Sequence, residues 1–327
     1  MKKLSLALVT GGDVAEREIS LLSAKTVKNN LDPRKYDARI IDFKNGSFTD
    51  IESGVLLDKS TFTLALEKRL QFDLIYPILH GSPAEDGILQ GYLKLLGIPF
   101  SGCDALASAL TFNKQACKTF LRHFDIPQAK SFLIKKESKI DLNAITDMGF
   151  PLFVKPNQNG SSYGISRVNE SSKVVAAINK AFQFDNEVLI ETFLDGPEFS
   201  NGVYKNGEEI IVLPITEIIP NPDVAFFDYQ AKYENKSQEI TPARISDKQA
   251  IRCKELTALI YQVLNCKGIC RVDYILMNDI FYFLEINTIP GFSPNSLVPQ
   301  QAKSMKVPIS DMLDAVINEA LNKKVSA

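Results

Sequence analysis

The sequence predicts an α/β fold that opens with a parallel-sheet domain and continues into two α+β units. Three observations lead there. Apolar runs at 4–9 and 74–79 close at Gly11-Gly12 and His80-Gly81, and each precedes a helical pattern. That alternation belongs to a parallel sheet with helices on both faces. Beyond residue 113 the alternation stops, and strands and helices follow irregularly. Finally, 327 residues, 45% hydrophobic and 23% charged, suit a soluble chain of two or three domains.

The elements follow in order. Ile19, Leu22 and Val27 mark the first helix, and a second strand at 38–43 stops at the Asn45-Gly46 turn signal. After the strand at 74–79, Leu89, Leu93 and Leu96 mark a helix, which places a first domain at 1–112. From Asn113 a helix through Cys117, Phe120, Leu121 and Phe124 leads to Ile126-Pro127. Strands at 131–134, 152–155, 165–168 and 188–191, with a helix at 174–182, make a small second domain at 113–198. The third, 199–327, carries strands through Val203 and 210–219, a helix at 247–264, a hairpin and a terminal helix. A loop at 221–241 is long for a connection, and Phe226, Phe227, Tyr229 and Tyr233 give it the apolar weight of an ordered closing lid.

Charge and composition exclude several classes. Lys+Arg 37 against Asp+Glu 39 leaves a net charge of −2 without a dense basic block, so no nucleic-acid partner is expected. No stretch can span a bilayer, and the run at 4–9 is too short for a signal peptide, with Asp13 and Glu16 following at once. Five cysteines are scattered along the chain. Only Cys266 and Cys270 are near each other, with only His80 and His123 to assist, so no zinc site is expected and a reduced, cytoplasmic setting is.

The densest chemical signal is the strand that runs through Phe281 and Phe283 into Glu285 and Asn287, before Pro290-Gly291. Alternate strand residues share a face, so two oxygen ligands point one way, as a hard cation requires. Upstream, Arg271 and Asp273 share a face of a second strand. A charged outer hairpin face is the plain alternative, but a carboxylate beside buried phenylalanines needs a partner. With a simple turn at Asn278-Asp279, Met277 would face Ile280 and Asp273 would face Leu284. Sharing a cation with Glu285 therefore requires an odd loop or a bulge, and the expectation is that Met277 faces Phe281.

Phosphate chemistry has no Walker motif to rest on. Lys155 at a strand end, followed by Gly160, Ser161 and Ser162, offers a point charge and backbone donors to anionic oxygens; an ordinary flexible hairpin fits as well. The strand through Glu191 exits past Phe193 and Leu194 to Gly196-Pro197-Glu198. Such a connector can bond an adenine edge through its backbone, with Glu198 on the ribose, or it can be a simple Gly-Pro turn.

Taken in order, Gly11-Gly12, Glu16 and Ser20; His80-Gly81, Glu85 and Gly87; Lys155, Gly160, Ser161 and Ser162; Gly196-Pro197-Glu198; Tyr229, Lys232 and Tyr233; Arg271 and Asp273; and Glu285, Asn287 and Pro290-Gly291 resemble the D-alanine–D-alanine ligases of the ATP-grasp superfamily. The resemblance runs from Gly11 to Pro299. It implies a three-domain ATP-grasp fold that clamps ATP, with Mg²⁺ as two ions and Mn²⁺ as a substitute. It also implies the reaction, in which ATP phosphorylates one D-alanine and the amine of a second attacks the acyl phosphate, for peptidoglycan precursor synthesis. A homodimer is implied by analogy.

Residue roles follow from the same resemblance. Glu16 holds the ammonium of the first D-alanine, braced by Ser161 and Tyr233, while His80 positions substrate. Lys114, Lys155 and Ser162 meet the ATP phosphates, and Lys232 lies near the transferred group. Glu191, Phe193, Leu194 and Glu198 hold the nucleoside, and Asp273, Glu285 and Asn287 bind metal. Arg271 and the Gly291 N–H stabilise the oxyanion, and Ser296 with the Leu297 N–H binds the second carboxylate. Glu85 is expected to steady Lys114. Tyr233 implies a dipeptide rather than a D-lactate product. Simpler readings stand beside these: Asp13 to Glu16 and Ser82 to Glu85 have capping-box spacing, Ser296 suits a helix cap, and the lysines suit a solvated surface. Val14, Ala84, Asn159 and Phe193 depart from the family pattern.

Overall fold

The computed structural model describes residues 2–13, 16–159, 163–220 and 237–322. Strand β1 (Leu4–Gly11) is buried over its C-terminal half and pairs in parallel with β2 (Tyr36–Lys44) and β7 (Leu74–Pro77). Helix α1 (Arg17–Asn30) packs Ala24 and Val27 on this sheet, and β3 (Ser47–Asp50) closes its edge in the order β3-β2-β1-β7. A small antiparallel sheet of β4 (Leu57–Asp58), β5 (Thr63–Ala65) and β6 (Arg69–Leu70) intervenes before β7, and α2 (Ile88–Leu95) follows it. Both strand–helix turns depart from the capping-box spacing. Asp13 accepts the Asn45 N–H at 3.0 Å, and α2 starts after Gly87, beyond Glu85.

Helices α3 (Ala105–Phe112) and α4 (Lys114–Leu121) come next, each begun by a side chain that satisfies an orphan N–H: Asp104 for Ala107, Asn113 for Ala116. The antiparallel sheet β10-β9-β11-β8 then gathers β8 (Ser131–Lys135), β9 (Leu152–Pro156), β10 (Ser166–Val168) and β11 (Glu187–Thr192). Helices α5 (Leu142–Thr146) and α6 (Val174–Ala181) accompany it, and Ile145 and Ile178 join its apolar cluster.

The largest sheet, β14-β13-β12-β15-β16, is antiparallel throughout: β12 (Glu198–Asn206), β13 (Glu209–Pro220), β14 (Ser237–Ile240), β15 (Cys270–Met277) and β16 (Ile280–Asn287). The stretch expected to be loop as far as 241 thus ends in a strand, while 221–236 lies outside the described residues. Helix α7 (Asp247–Val263), opened by a Ser246–Gln249 capping box, packs Cys253, Ile260 and Tyr261 into the cluster beneath this sheet. Helices α8 (Leu297–Ser304) and α9 (Ile309–Ala320) end the fold. Met312, Leu313 and Val316 of α9 join the same apolar cluster as Leu6, Leu8 and Ile75 of the first sheet.

The β15–β16 hairpin corrects one expectation and supplies its purpose by another route. Met277 faces Ile280, not Phe281, across a two-residue turn in which Asn278 and Asp279 both have positive φ. Such a turn matches the twist of paired strands. The ladder then slips: Tyr274 faces Phe283, but Asp273 faces Glu285. A bulge at Leu284, not an odd loop, brings the two carboxylates opposite each other.

Candidate functional site

Glycines at the end of β1 build the first wall. Gly11 and Gly12 have φ of +93° and +101°, and a Cβ on Gly11 would lie 2.2 Å from Asp42 Oδ1 and 2.6 Å from the Phe43 carbonyl. Only glycine turns here while β2 passes so close. The turn delivers Glu16 to the N-cap position of α1, where its side chain makes no cap bond and lines a cavity with His80, Glu85, Lys114, Arg271 and Glu285. Two buried serines of α1 then fix the opposite walls. Ser20 Oγ accepts the His80 N–H at 3.1 Å, and Ser23 Oγ accepts the Phe292 N–H at 3.0 Å. Ser23 carries no signal in the sequence, because its partner lies 269 positions away.

The β15–β16 face makes the second wall. Asp273, 4% exposed, accepts Arg271 Nε at 2.9 Å and Nη2 at 2.8 Å, Ser200 Oγ at 2.7 Å and Asn287 Nδ2 at 3.1 Å. Glu285 Oε2 lies 3.5 Å from Lys114 Nζ, which also donates to the Asn159 carbonyl at 2.9 Å. Lys114 thus forms an ion pair with Glu285, and its charge also acts on Glu85. Asp273, Glu285 and Asn287 form an oxygen-rich set on one face. A half-turn of the Asn287 amide would present its oxygen where Nδ2 now points. These residues fit a hard divalent cation.

A third group lies one helical turn further along α4. Lys118, 1% exposed, and Lys155 both pair with Glu191, and Lys118 also donates to the Ala129 carbonyl at 3.0 Å. Burial alone would raise the Glu191 carboxyl, but Lys155 and Lys118 outweigh it and bring the group to about 2. Lys114 and Lys118 are four apart on one helix face, so α4 links the two charged groups. Asn157 locks that helix to the end of β9: it accepts the Gln115 N–H at 2.8 Å and donates to Asn113 Oδ1 at 3.0 Å and Glu187 Oε2 at 2.8 Å. Sequence reasoning missed Lys118, Asn157 and Ser200, whose partners are brought close only by the fold.

The remaining candidates spread around these groups. His80, 5% exposed, has no hydrogen-bond partner at Nε2, and burial lowers its imidazole despite Glu16 nearby. An imidazole kept neutral with an open nitrogen suits substrate positioning. Burial, reinforced by the Glu16 charge, pushes Glu85 up to about 8, while its Oε2 accepts the Gly81 N–H at 2.7 Å. Phe193 carries the Arg167 guanidinium 4.3 Å from its ring centre and donates its N–H to the Pro151 carbonyl, so any adenine bond through that N–H is taken. Leu194 is buried beside it, and Glu198 starts β12. Ser296 stands at the N-cap position of α8 before Leu297, yet its Oγ bonds the Ser293 N–H and hydroxyl instead of capping, 3.1 Å from where a Gly291 Cβ would stand. Ser161, Ser162, Lys232 and Tyr233, with the departure at Val14, lie outside the described residues.

Comparison with known proteins bears on this arrangement. The family described as D-ala D-ala ligase N-terminus matches residues 5–103, and that described as D-ala D-ala ligase C-terminus matches 120–318. The D-alanine--D-alanine ligase of Flavobacterium psychrophilum is 43% identical over 325 residues, covering 98% of this chain and 98% of that protein. The one from Phocaeicola vulgatus is 40% identical over 321 residues, 96% of this chain and 98% of that one. Of solved structures, the VanG D-Ala:D-Ser ligase from Enterococcus faecalis is similar with a TM-score of 0.86 at 32% identity, covering 98% of this chain and 100% of that chain. D-alanine--D-alanine ligase from Bacillus anthracis complexed with ATP gives 0.78 at 26%, covering 98% and 97%. The architecture is that of the ATP-grasp ligases, and the chain belongs to the D-alanine–D-alanine ligase family.

Proposed function

We propose that this protein joins two D-alanines to D-alanyl-D-alanine with cleavage of ATP to ADP and phosphate, for peptidoglycan precursor synthesis. One observation supports this most directly: Asp273 and Glu285 face each other across the β15–β16 bulge, with Lys114 against Glu285 and a second lysine group at Lys155 and Lys118. Phosphoryl transfer depends on such charge placement more than on covalent help from the protein.

In this reading Asp273, Glu285 and Asn287 hold Mg²⁺, as one or two ions. The bound cation supplies neutralising charge to the terminal phosphates. Lys114 and Lys155 contact the same phosphates, with Ser162 and Lys232 assigned there by resemblance. Glu191 keeps Lys155 in place, and Glu191, Phe193, Leu194 and Glu198 border the nucleoside. Glu16 holds the ammonium of the first D-alanine, with Ser161 and Tyr233 assigned beside it. The carboxylate of that first D-alanine takes the phosphoryl group, and the amine of the second D-alanine displaces phosphate from the acyl carbon. Arg271 and the Gly291 N–H stabilise the oxyanion that forms in that attack. His80 orients substrate, and Ser296 with the Leu297 N–H at the start of α8 takes the second carboxylate.

No helix among the described residues is long and apolar enough to cross a membrane. A cytoplasmic homodimer with no nucleic-acid partner completes the proposal. The test is phosphate release from ATP and Mg²⁺ as D-alanine is added, with the dipeptide identified by mass. Nucleotide binding without ADP formation would reduce the chain to a scaffold. Turnover with D-serine but not D-alanine as the second substrate would overturn the product.

A further inference from the structure

Behind the candidate active site, the fold brings Cys103 to Cys266 and Cys270, thiols that play no part in the chemistry above. Cys103 precedes α3, while Cys266 and Cys270 flank the turn that feeds β15, and all three are buried. Their sulfurs all lie within 4.8 Å of one another, and Cys103 Sγ is 3.9 Å from Cys270 Sγ. A fourth donor lies beside two of them. The Lys267 carbonyl oxygen is 3.5 Å from Cys103 Sγ and 3.8 Å from Cys270 Sγ.

These edges can be compared with a metal polyhedron. Zinc bonds of about 2.3 Å to sulfur and about 2.1 Å to oxygen give tetrahedral edges of about 3.8 Å between sulfurs and about 3.6 Å from sulfur to oxygen. The observed 3.9, 3.5 and 3.8 Å lie close to those values. The Cys266-to-Cys270 spacing is also within the range common in structural zinc sites. We infer that Cys103, Cys266, Cys270 and the Lys267 carbonyl form a tetrahedral site for a thiophilic divalent cation, Zn²⁺ by preference.

The surroundings are built for it. The Lys267 N–H points at Cys103 Sγ at 3.4 Å, a donor suited to a thiolate. Tyr261 Oη donates to the Gly268 carbonyl at 2.9 Å, and the Gly268 N–H donates to Glu319 at 2.8 Å, so the ligand-bearing turn is fixed on both sides. Second-layer bonds of this kind orient ligands. Gly268 approaches the other segment so closely that a Cβ there would lie 2.8 Å from Gly102 Cα. Cys103 also lines a cavity whose wall at Thr288, Ile289 and Pro290 is shared with the candidate active site. On binding, each ligating thiol gives its proton to solvent and three thiolates offset the dication, leaving one net negative charge.

The site would tie the segment entering α3 to β15, one residue ahead of Arg271. The test uses the full reduced chain, stripped of metal and held in excess Mg²⁺ to fill oxygen sites, then titrated with Co²⁺. Thiolate-to-cobalt charge transfer and tetrahedral ligand-field bands should saturate at one equivalent and disappear when Zn²⁺ is added. Cys103→Ser with Cys270→Ser should abolish both, whereas Cys253→Ser should keep them. Absent charge transfer in the unmutated protein, or bands that persist in the double variant, would overturn the site. If the double variant fails to fold, zinc-edge X-ray absorption of the unmutated protein decides: three sulfurs and one oxygen support the assignment, and a shell without sulfur removes it.

Discussion

Glu191→Gln isolates what the buried carboxylate contributes. The substitution keeps shape but leaves Lys118 and Lys155 facing each other with no anion between them. Two routes give its cost. Removing one member of a buried pair typically destabilises by about 3–5 kcal/mol. Independently, the Glu191 carboxyl falls from 4.5 to about 2 on folding. At about 1.4 kcal/mol per unit this amounts to about 3 kcal/mol. Because the folded value is depressed, that stabilisation is complete above pH 4.5 and drains away as pH drops toward 2. Urea titrations of both proteins at pH 7, 5, 4 and 3 measure it. The unmutated protein should lose its advantage through the acid range while Glu191→Gln changes far less. Equal midpoints at pH 7, or parallel acid slopes, would refute the assignment of Glu191 as an ionised partner of both lysines.

Other perturbations separate the groups of the site. Lys155→Ala should lower kcat by roughly two to three orders of magnitude, as for other lost charge-stabilising contacts; steady-state kinetics within a few-fold of the unmutated enzyme would remove it from the phosphates. Gly11→Ala places a methyl 2.2 Å from Asp42 Oδ1 at a φ of +93°, and should cost about 2 kcal/mol or more in denaturation while raising KM for D-alanine through Glu16. Glu85, raised to about 8 by burial, stabilises the fold below pH 4.5, and that contribution is lost as pH rises through 8. Glu85→Gln should therefore be the more stable protein at pH 9 and show no such loss, which thermal melts across pH 6–9 would register. Asp273→Asn should shift the Mg²⁺ dependence of phosphate release to higher concentration, and an unchanged dependence would disconnect Asp273 from the cation.

What could be read from the sequence was what local pattern determines. The parallel strands at 4–9 and 74–79 were visible because buried strands are continuous apolar runs, and they appear as β1 and β7. The β15–β16 face was visible because alternation places Arg271, Asp273, Glu285 and Asn287 on shared faces. Its register was not, because nothing in Phe283, Leu284 and Glu285 marks where a bulge forms. Helix α3 was missed: Leu106 is 78% exposed, so its apolar residues do not trace one buried stripe. The capping-box spacing at Asp13 and Ser82 is not realised, because Asp13 accepts the Asn45 N–H and α2 begins only after Gly87. Lys118, Ser200 and the union of Cys103 with Cys266 and Cys270 depend on contacts between distant segments, which no local spacing encodes.

Helix α9 packs against both β12 and α1, and its Asp314 accepts the Tyr36 hydroxyl at the start of β2 at 2.7 Å. This helix therefore bridges the opening parallel unit and the largest antiparallel sheet. Removing α9 would consequently loosen both sheets at once, the one that carries Gly11 and the one that carries Ser200.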